Sequence, residues 1–349
     1  MAIQFAEPGG EPYYSLGTPL APGWWSGSPF GGVNLVNNAP AGASTTYALQ
    51  MVGSGAQVYK NLVTNFSSFI FQGRFYISGS FVAGAILFQF LDGATQQVEV
   101  RSDVLGHLYA TRNGTQIGTA STLQLVAASG WNYFVGVPTF NASTGAIEVT
   151  VNGQVFFNLT GLNTVNSGNA YCNRVQIGNI CSGNSYWKDV VMLDTSTGIN
   201  TTPLGDVTVG ILWPNAAGVN QAWTNNGGAS QTASVQDGIT QTGTWPDGDA
   251  TYISSSTANQ ISDFAHQTLT LTGTIYGVIH ATYARKDDAG ARTIAQVCLS
   301  GSATEVGPSI PLGNSYQYFF DILEQDPNTI AQWNTTGLNA ATFGVKEIS

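Results

Sequence analysis

Charged side chains are scarce in this sequence, at 9% of its 349 residues, whereas soluble proteins average about 25%. Lys and Arg number only ten, and the formal net charge is −10. No basic stripe is therefore present that could neutralise a row of phosphates, so nucleic acid is not an expected partner. Hydroxyl and amide side chains are expected to solvate the surface instead.

Cysteine and long apolar runs are also scarce. Cys172, Cys181 and Cys298 are too few for a disulfide framework or a zinc site, so we expect small buried side chains; whether Cys172 and Cys181 pair stays open. The start, MAIQFAEPGGEPYY, lacks a signal-peptide pattern, and no run approaches the ~18 to 20 apolar residues of a membrane span. A protein made without a signal peptide and without membrane insertion is expected.

Helical periodicity is almost absent, and from about residue 67 short alternating strands are separated by Gly, Asn and Asp. This pattern predicts an all-β protein of two β-sandwich, jelly-roll domains in series. The predicted divisions are an irregular N-terminal arm or edge segment over 1–45, a first sandwich over 46–199 and a second over 203–349. The only helix predicted lies near Thr336 to Ala341.

Two Asn-Gly pairs predict hairpins. At Asn113-Gly114 a two-residue turn places Leu108, Ala110 and Ile117 on the core face. At Asn152-Gly153 a three-residue loop with a glycine bulge brings apolar residues opposite one another. In the second half, the segments 276–283 and 292–299 flank a charged tip and predict a long hairpin.

Familiar catalytic motifs are missing: there is no G-x-S-x-G, no phosphate-binding glycine loop and no H-E-x-x-H. His107, His266 and His280 fall in separate segments, without metal-ligand spacing. A glycosidase needs two carboxylates aimed at one bond. The nearest approaches are Glu99 with Asp103, which have Arg101 between them on the same face, and the isolated Glu148; we do not expect either to be catalytic.

Acidic turns and tryptophans offer weaker signals. Asp247 with Asp249, and Asp287 with Asp288, supply the oxygen ligands that calcium prefers, but such turns are common without a metal. Tryptophans near loops suit either sugar stacking or structural packing, and packing is favoured: Trp24, Trp25, Trp187, Trp213, Trp223 and Trp245. No catalytic, cofactor or metal residue is predicted.

Several segments together resemble a known family. The first half resembles the concanavalin A-like, laminin G-type sandwich, and the whole from about residue 66 resembles a two-domain protein of tailed bacteriophages and prophages. The segments that carry the resemblance are Phe71–Ile77, Phe88–Gly93, Gly106–Gly114, Gly130–Trp131, Thr144–Gly153, Trp187–Asp194, Leu204–Val209, Trp213–Gly218, Arg285–Gly290, Asp326–Thr329 and Leu338–Val345. No calcium ligands can be carried over.

The resemblance implies a non-enzymatic virion structural protein, as a capsid decoration or a tail or fibre component. Such a protein is expected to be homo-oligomeric, to contact other virion proteins and to reach host surface polysaccharide; it needs no cofactor. Fold alone does not establish sugar binding. The alternative is a polysaccharide-active enzyme (depolymerase), or a glycan-binding module, on the same lectin-like sandwich.

Overall fold

The computed structural model describes residues 2–7, 25–30, 32–36, 40, 48–236, 246–270 and 272–349. The chain divides into two compact units, Met1–Val209 and Gly210–Ser349. Both are built almost entirely of antiparallel strands, which confirms the all-β prediction. This division does not test the predicted domain limits, which remain predictions. Within the described residues, no helix has the length and apolar character needed to cross a bilayer.

The first unit forms two large sheets from fifteen strands in its described part. The strands are β1 (Ile3–Glu7), β2 (Gly27–Phe30), β3 (Val33–Val36), β4 (Ala48–Val52), β5 (Gln57–Phe66), β6 (Phe69–Ile77), β7 (Ile86–Asp92), β8 (Thr95–Ser102), β9 (Leu108–Arg112), β10 (Thr115–Ile117), β11 (Asn132–Thr139), β12 (Gly145–Val151), β13 (Gln154–Leu162), β14 (Cys172–Gly178) and β15 (Asn184–Asp194). The first sheet has the order β13-β12-β11-β6-β15-β4-β3, with β1 also paired to β15. The second has the order β10-β9-β8-β7-β14-β5-β2.

Part of the segment predicted as an irregular arm belongs to these sheets. Strands β2 and β3 each lie at the edge of one sheet, and β1 pairs with β15. The prolines and glycines that suggested an arm, at positions 8–10, 12, 19 and 22, lie outside the described residues.

Aromatic side chains fill the space between the two sheets. Phe71 and Phe134 of the first sheet contact Phe88 of the second, with ring centroids 5.7 and 5.2 Å apart. Gly136 allows this approach, because a Cβ at that position would lie only 3.0 Å from the Phe88 ring. Burial of these rings stabilises the sandwich and turns every second residue of each strand outward.

The two Asn-Gly hairpins follow different registers. Arg112 pairs with Thr115 across Asn113-Gly114, which confirms the predicted two-residue turn. The prediction for Asn152-Gly153 is wrong: Val151 pairs with Gln154, so this turn also has two residues. A bulge further along β13 restores the apolar pairing of Val149 with Phe157 and leaves Val155 53% exposed.

The second unit has one six-stranded sheet and three two-stranded pairs in its described residues. The elements are β16 (Pro214–Gln221), β17 (Thr224–Asn226), α1 (Gln231–Val235), β18 (Tyr252–Ser254), β19 (Ile261–His266), β20 (Val278–Ala284), β21 (Thr293–Ser300), β22 (Ala303–Val306), β23 (Ile310–Pro311), β24 (Gln317–Leu323), β25 (Gln325–Asp326), β26 (Ala331–Gln332), α2 (Thr335–Ala340) and β27 (Thr342–Glu347). The main sheet has the order β16-β19-β27-β21-β22, with β23 on β21; the pairs are β17-β18, β20-β24 and β25-β26.

Two predictions for this unit have different outcomes. Helix α2 confirms the predicted helix, and the side chain of Asn334 caps it by accepting from Gly337 N. The predicted hairpin between 276–283 and 292–299 is wrong, because β20 pairs with β24 while β21 pairs with β22 and β27. The terminal strand β27 pairs on one side of β21, a long-range contact that local patterning does not reveal.

Candidate functional site

The outward face of the second sheet carries one polar side chain from each of six adjacent strands. Each is the direct cross-strand neighbour of the next, and we call this set the polar row: Gln116, Thr111, Glu99, Gln89, Gln176 and Tyr59. Val98 and Val100, on either side of Glu99 in the chain, are fully buried on the opposite, core-facing side. Strand alternation thus forces the polar row outward.

Glu99 at the centre of the polar row is completely buried. Its Oε2 atom accepts hydrogen bonds from Arg101 Nε at 2.8 Å and from the Thr111 hydroxyl at 2.6 Å, and Arg101 Nη2 lies 2.8 Å away. Arg101 also donates from Nη1 to the carbonyl of Gly84. A guanidinium has five N–H groups, so two remain for a ligand, and the Arg101 side chain is 22% exposed.

Glutamine side chains form the neighbouring part of this face. Gln57 Oε1 accepts from Gln89 Nε2 at 3.4 Å and from Gln176 Nε2. Gln89 and Glu99 each retain a buried Oε1 atom that meets no hydrogen-bond partner in the described parts of the chain. Buried polar atoms in native proteins are nearly always paired, and these two unpaired atoms lie on adjacent strands.

Tyr109 stands beside Arg101, its direct partner across β8 and β9. Gly84 has φ +73°, and a Cβ there would lie 3.8 Å from the Tyr109 hydroxyl oxygen and 4.0 Å from Arg101 Nη1. The phenol and the guanidinium therefore border the same backbone position. Tyr109 is half-buried, so its hydroxyl is placed at the rim and not in the core.

A second arginine lies on the other side of the glutamines. The Arg174 guanidinium carbon lies 4.3 Å from the centre of the Tyr59 ring, and its Nε donates to Asn61 Oδ1 at 2.8 Å. No carboxylate of the described residues lies within ion-pair distance of Arg174. The Tyr59 ring and the Asn61 amide therefore stabilise the charge of Arg174, and its guanidinium can still bind an anion.

Gln97 fixes the loop that follows β13 beside this face. Its Nε2 donates to Ser167 Oγ at 2.8 Å and to the carbonyls of Asn169 and Tyr171, and its Oε1 accepts from the backbone of Asn166 and Ser167. Gln97 is fully buried and fully engaged. It is therefore a positioning residue of loop 163–171, unlike Gln89 on the neighbouring strand β7.

The carboxylates considered from the sequence do not form a catalytic pair. Asp103 accepts from His107 Nδ1 at 2.7 Å and from the backbone N–H groups of Leu105 and His107 in the turn after β8. Desolvation opposes the shift, but these hydrogen bonds hold the pKa of Asp103 below its usual value. Glu148 lies on the outward face of the first sheet, where Asn158 donates to it at 2.8 Å. Glu99 is thus separated from both.

The other titratable candidates are engaged elsewhere. Asp249 pairs with Arg285 at 2.9 Å, Asp288 pairs with Arg292 at 2.7 Å, and Asp247 accepts from the Thr251 hydroxyl. No group of three or more His, Cys, Asp or Glu that could hold a metal occurs in the part of the chain that is described. His266 lies within hydrogen-bond distance of two carbonyl oxygens, and burial lowers the pKa of His280 to about 4.

Three of the candidate tryptophans make structural contacts. Trp187 is buried and donates to the carbonyl of Gly178, Trp25 is buried against Phe5, and Trp223 donates to the carbonyl of Gln260. Trp24 and Trp245 lie outside the described residues.

The three cysteines are buried and free, so Cys172 and Cys181 do not pair. Burial raises the pKa of Cys172 and of Cys298 to about 12. A thiol is nucleophilic only as the thiolate, so these side chains act as small apolar groups.

The sequence analysis considered Glu99 and Arg101 without assigning them to a site, and it missed the glutamines, Tyr59 and Arg174. A signal was present: Gln89 and Gln176 each stand alone between two apolar residues of a buried strand. Such a residue must face away from the core. What remained hidden was that β5, β7, β8 and β14 are neighbours, since β14 pairs between β5 and β7 from far along the chain.

Comparison with known proteins gives fold relatives only. No family model matches the sequence, and no curated protein matches it. Among solved structures, the chain is similar to an endo-β-1,4-glucuronan lyase of the fungus Trichoderma reesei, at 13% identity and TM-score 0.41, over 55% of this chain and 95% of that one. It is also similar to the alginate lyase Aly36B, at 8% identity and TM-score 0.39, over 54% and 95%.

A Trypanosoma rangeli sialidase in complex with sialic acid is similar at 15% identity and TM-score 0.34, over 48% of this chain and 27% of that one. The expectation that the chain is not an enzyme is corrected by these findings, because the similar structures are those of enzymes. Identities and TM-scores this low do not transfer an activity. Any activity of this chain has to be argued from its own side chains.

Proposed function

We propose that the first unit is a polysaccharide-active enzyme that binds an acidic polysaccharide along the polar row and cleaves it by elimination. The observation that carries the proposal is the composition of this face. Two arginines and two tyrosines share this face with a single carboxylate of the polar row, Glu99, which is already paired with Arg101. This set suits a ligand that brings its own negative charge.

The arginines supply the argument for an acidic substrate. Arg174 has no carboxylate partner in the described residues, and Arg101 has two N–H groups left after its bonds to Glu99 and Gly84. Guanidinium groups recognise carboxylates through paired, directional hydrogen bonds. A uronic acid polymer presents a carboxylate on successive rings and can engage both arginines.

No second carboxylate of the described residues is paired with Glu99, and this argues against hydrolysis. Glycosidases generally use two carboxyl groups that flank the scissile bond. Asp103 is hydrogen-bonded to His107 and Glu148 to Asn158, so neither forms a pair with Glu99. Elimination needs a positioned base and stabilisation of charge on the substrate carboxylate. Both are available on this face.

The Tyr109 side chain is the proton-transfer group in this proposal. Its phenolic oxygen takes the C5 proton of the uronate, while Arg101 stabilises the charge that spreads into the substrate carboxylate. The C5–H electron pair forms the C4–C5 double bond and the C4–O bond breaks. The leaving oxygen takes the proton back from Tyr109, so the enzyme is unchanged at the end.

Incubation with glucuronan and alginate, followed by ultraviolet absorbance of the new C4–C5 double bond, tests the reaction. Tyr109→Phe is expected to lower kcat by about 10²- to 10⁴-fold with little change in KM. Glu148→Gln, on the outward face of the first sheet, is the matched control and should keep full activity. Saturated products with new reducing ends, or an active Tyr109→Phe variant, would refute the elimination mechanism.

We further propose that a bacteriophage particle carries this enzyme, on its capsid or tail, and that the chain is homo-oligomeric there. Only the sequence resemblance supports this part. Antibody labelling of intact particles in the electron microscope is expected to show the protein at symmetric positions. Unlabelled particles would contradict the location and leave the enzymatic proposal standing.

A further inference from the structure

Gln89 and Glu99 offer two acceptors without donors. They are direct neighbours across β7 and β8, with side chains 3% and 0% exposed. The Oε1 atom of each is buried and meets no partner in the described chain. An amide oxygen and a carboxylate oxygen can only accept, so whatever satisfies them must donate.

The rest of this face shows that the pair is an exception. Gln97 is equally buried, and both ends of its side chain are hydrogen-bonded to loop 163–171. Glu99 itself is satisfied at Oε2 by Arg101 and Thr111, and only Oε1 is left. Among the described residues of this sheet face, the two unpaired atoms thus lie side by side at the centre of the polar row.

A metal ion does not suit this position. Calcium takes six or more oxygen ligands, whereas the pair supplies two unpaired oxygens. Neighbouring hydroxyl groups of a sugar ring fit better, because each carries one donor and they are adjacent, as the two acceptors are. Cross-strand neighbours have Cα atoms about 5 Å apart, which is within reach of two hydroxyls of one ring.

We infer that Gln89 and Glu99 accept hydrogen bonds from two adjacent free hydroxyls of the bound sugar, so that the enzyme selects uronate residues without O-substitution. The inference rests on the proposed function and names which residues of an acidic polymer the site takes. Both acceptor atoms are covered in the free protein, so the ligand reaches them only when side chains of this face move aside. Arg101 and Tyr59 on the same face are partly exposed.

Esterification of these hydroxyls removes the hydrogen-bond donors that the two acceptors need. An O-acetyl group replaces the donor with a carbonyl acceptor, which would face two further acceptors in a site shielded from water. Both protein atoms would then stay unpaired in the complex, and that penalty falls on the substituted sugar alone.

The experiment compares a uronate polysaccharide with its own O-acetylated form, using glucuronan and alginate as probes. Calorimetric binding and kcat/KM are both measured, so a result is obtained without turnover. Wild type should favour the free polymer about 10- to 100-fold, the range expected for acceptors left unpaired. Gln89→Leu should reduce that preference to less than about threefold, mainly by weakening binding of the free polymer.

Two further variants test the same inference if Gln89→Leu folds poorly. Gln89→Glu retains an acceptor and should retain the preference. Glu99→Gln turns a donor toward the ligand and should lower it. Glu148→Gln is the control and should behave as wild type in both polymers.

The outcomes separate the two claims. Equal affinity of wild type for free and acetylated polymers, or an unchanged preference in both Gln89→Leu and Glu99→Gln, would overturn the hydroxyl inference while the proposed function stands. If wild type neither binds nor cleaves any free uronate polymer, the proposed function fails and this inference fails with it.

Discussion

The two outward faces of the sandwich are both polar, but within the described residues only one has its buried side-chain oxygens paired by a segment of the chain that crosses it. On the first sheet, Gln72 Oε1 accepts from Leu204 N at 3.1 Å, Arg74 donates to Asp206 at 2.7 Å, and Asp189 accepts from Val209 N at 2.9 Å. Residues 204–209 thus act as a built-in partner. On the second sheet, the Oε1 atoms of Gln89 and Glu99 have none in the described residues.

Hydrogen bonding distinguishes a binding face from a structural face in this sandwich. Burial and polarity are alike on the two sheets: Gln72 is 0% exposed and Gln89 is 3% exposed. The two faces differ in whether their buried acceptors are paired. A structural network pairs its polar atoms, whereas a binding surface keeps acceptors for its ligand. The predictions below test this contrast.

The largest effect is expected on the first sheet, at Asp189. Its buried carboxylate lies 3.3 Å from Arg74 Nη1 and 3.8 Å from Lys188 Nζ. Asp189→Asn retains a residue that tolerates φ +52° but removes a buried counter-charge. We expect a loss of about 3 to 5 kcal/mol in the free energy of unfolding, measured by urea denaturation.

Glu148→Gln, on the same sheet face, is the reference for that experiment and should change stability by less than about 0.5 kcal/mol. A similarly small change for Asp189→Asn would show that the first face is not held together by its polar network.

An intermediate effect should separate two matched glutamines. Gln72→Leu leaves the N–H of Leu204 and the carbonyl of Gly205 without the Gln72 side chain as partner. It should lower the free energy of unfolding by about 1 to 3 kcal/mol. Gln89→Leu removes an unpaired acceptor and one long hydrogen bond to Gln57, so its stability should lie within about 1 kcal/mol of wild type. Chemical denaturation of both variants side by side measures the contrast. Equal losses would mean that the second face is as complete as the first.

The smallest effect is expected at Asp103, near the end of β8. Hydrogen bonds from His107 and the turn outweigh desolvation and lower the pKa of this carboxyl in the folded protein. Asp103 therefore adds stability above its unfolded pKa of about 3.9, and this contribution is lost as the pH falls through the lower folded value.

Asp103→Asn should accordingly be slightly less stable than wild type at neutral pH, and the difference should shrink in strong acid. Denaturation curves of the two proteins at pH 7 and near pH 3 measure it. A difference that is larger near pH 3 than at pH 7 would have the wrong sign for a carboxyl whose pKa is lowered by folding.

The sequence was sufficient for features set by neighbouring residues. Alternation predicted the all-β fold, and Asn113-Gly114 predicted a turn whose register places Leu108 and Ala110 in the core. At Asn152-Gly153 the same dipeptide also makes a two-residue turn, but a bulge at β13 absorbs the mismatch that had suggested a longer loop. Turn chemistry was thus a better guide than apolar pairing.

Features set by distant residues could not be predicted. β20 pairs with β24, some 40 positions on, and β14 inserts between β5 and β7. The candidate site depends on that insertion, because it brings Gln176 and Arg174 beside Gln89. Patterning shows which side of a strand faces outward but not which strands are neighbours.

The central claim is that an acidic polysaccharide binds on the outward face of the second sheet. Titration of the protein with a glucuronan oligosaccharide, followed through backbone amide NMR shifts, tests it most directly. We predict shifts in β7, β8 and β14, around Gln89, Glu99 and Gln176, and none around Gln72 and Lys188 of the first sheet. Shifts on the first face alone, or none on the second, would contradict the account.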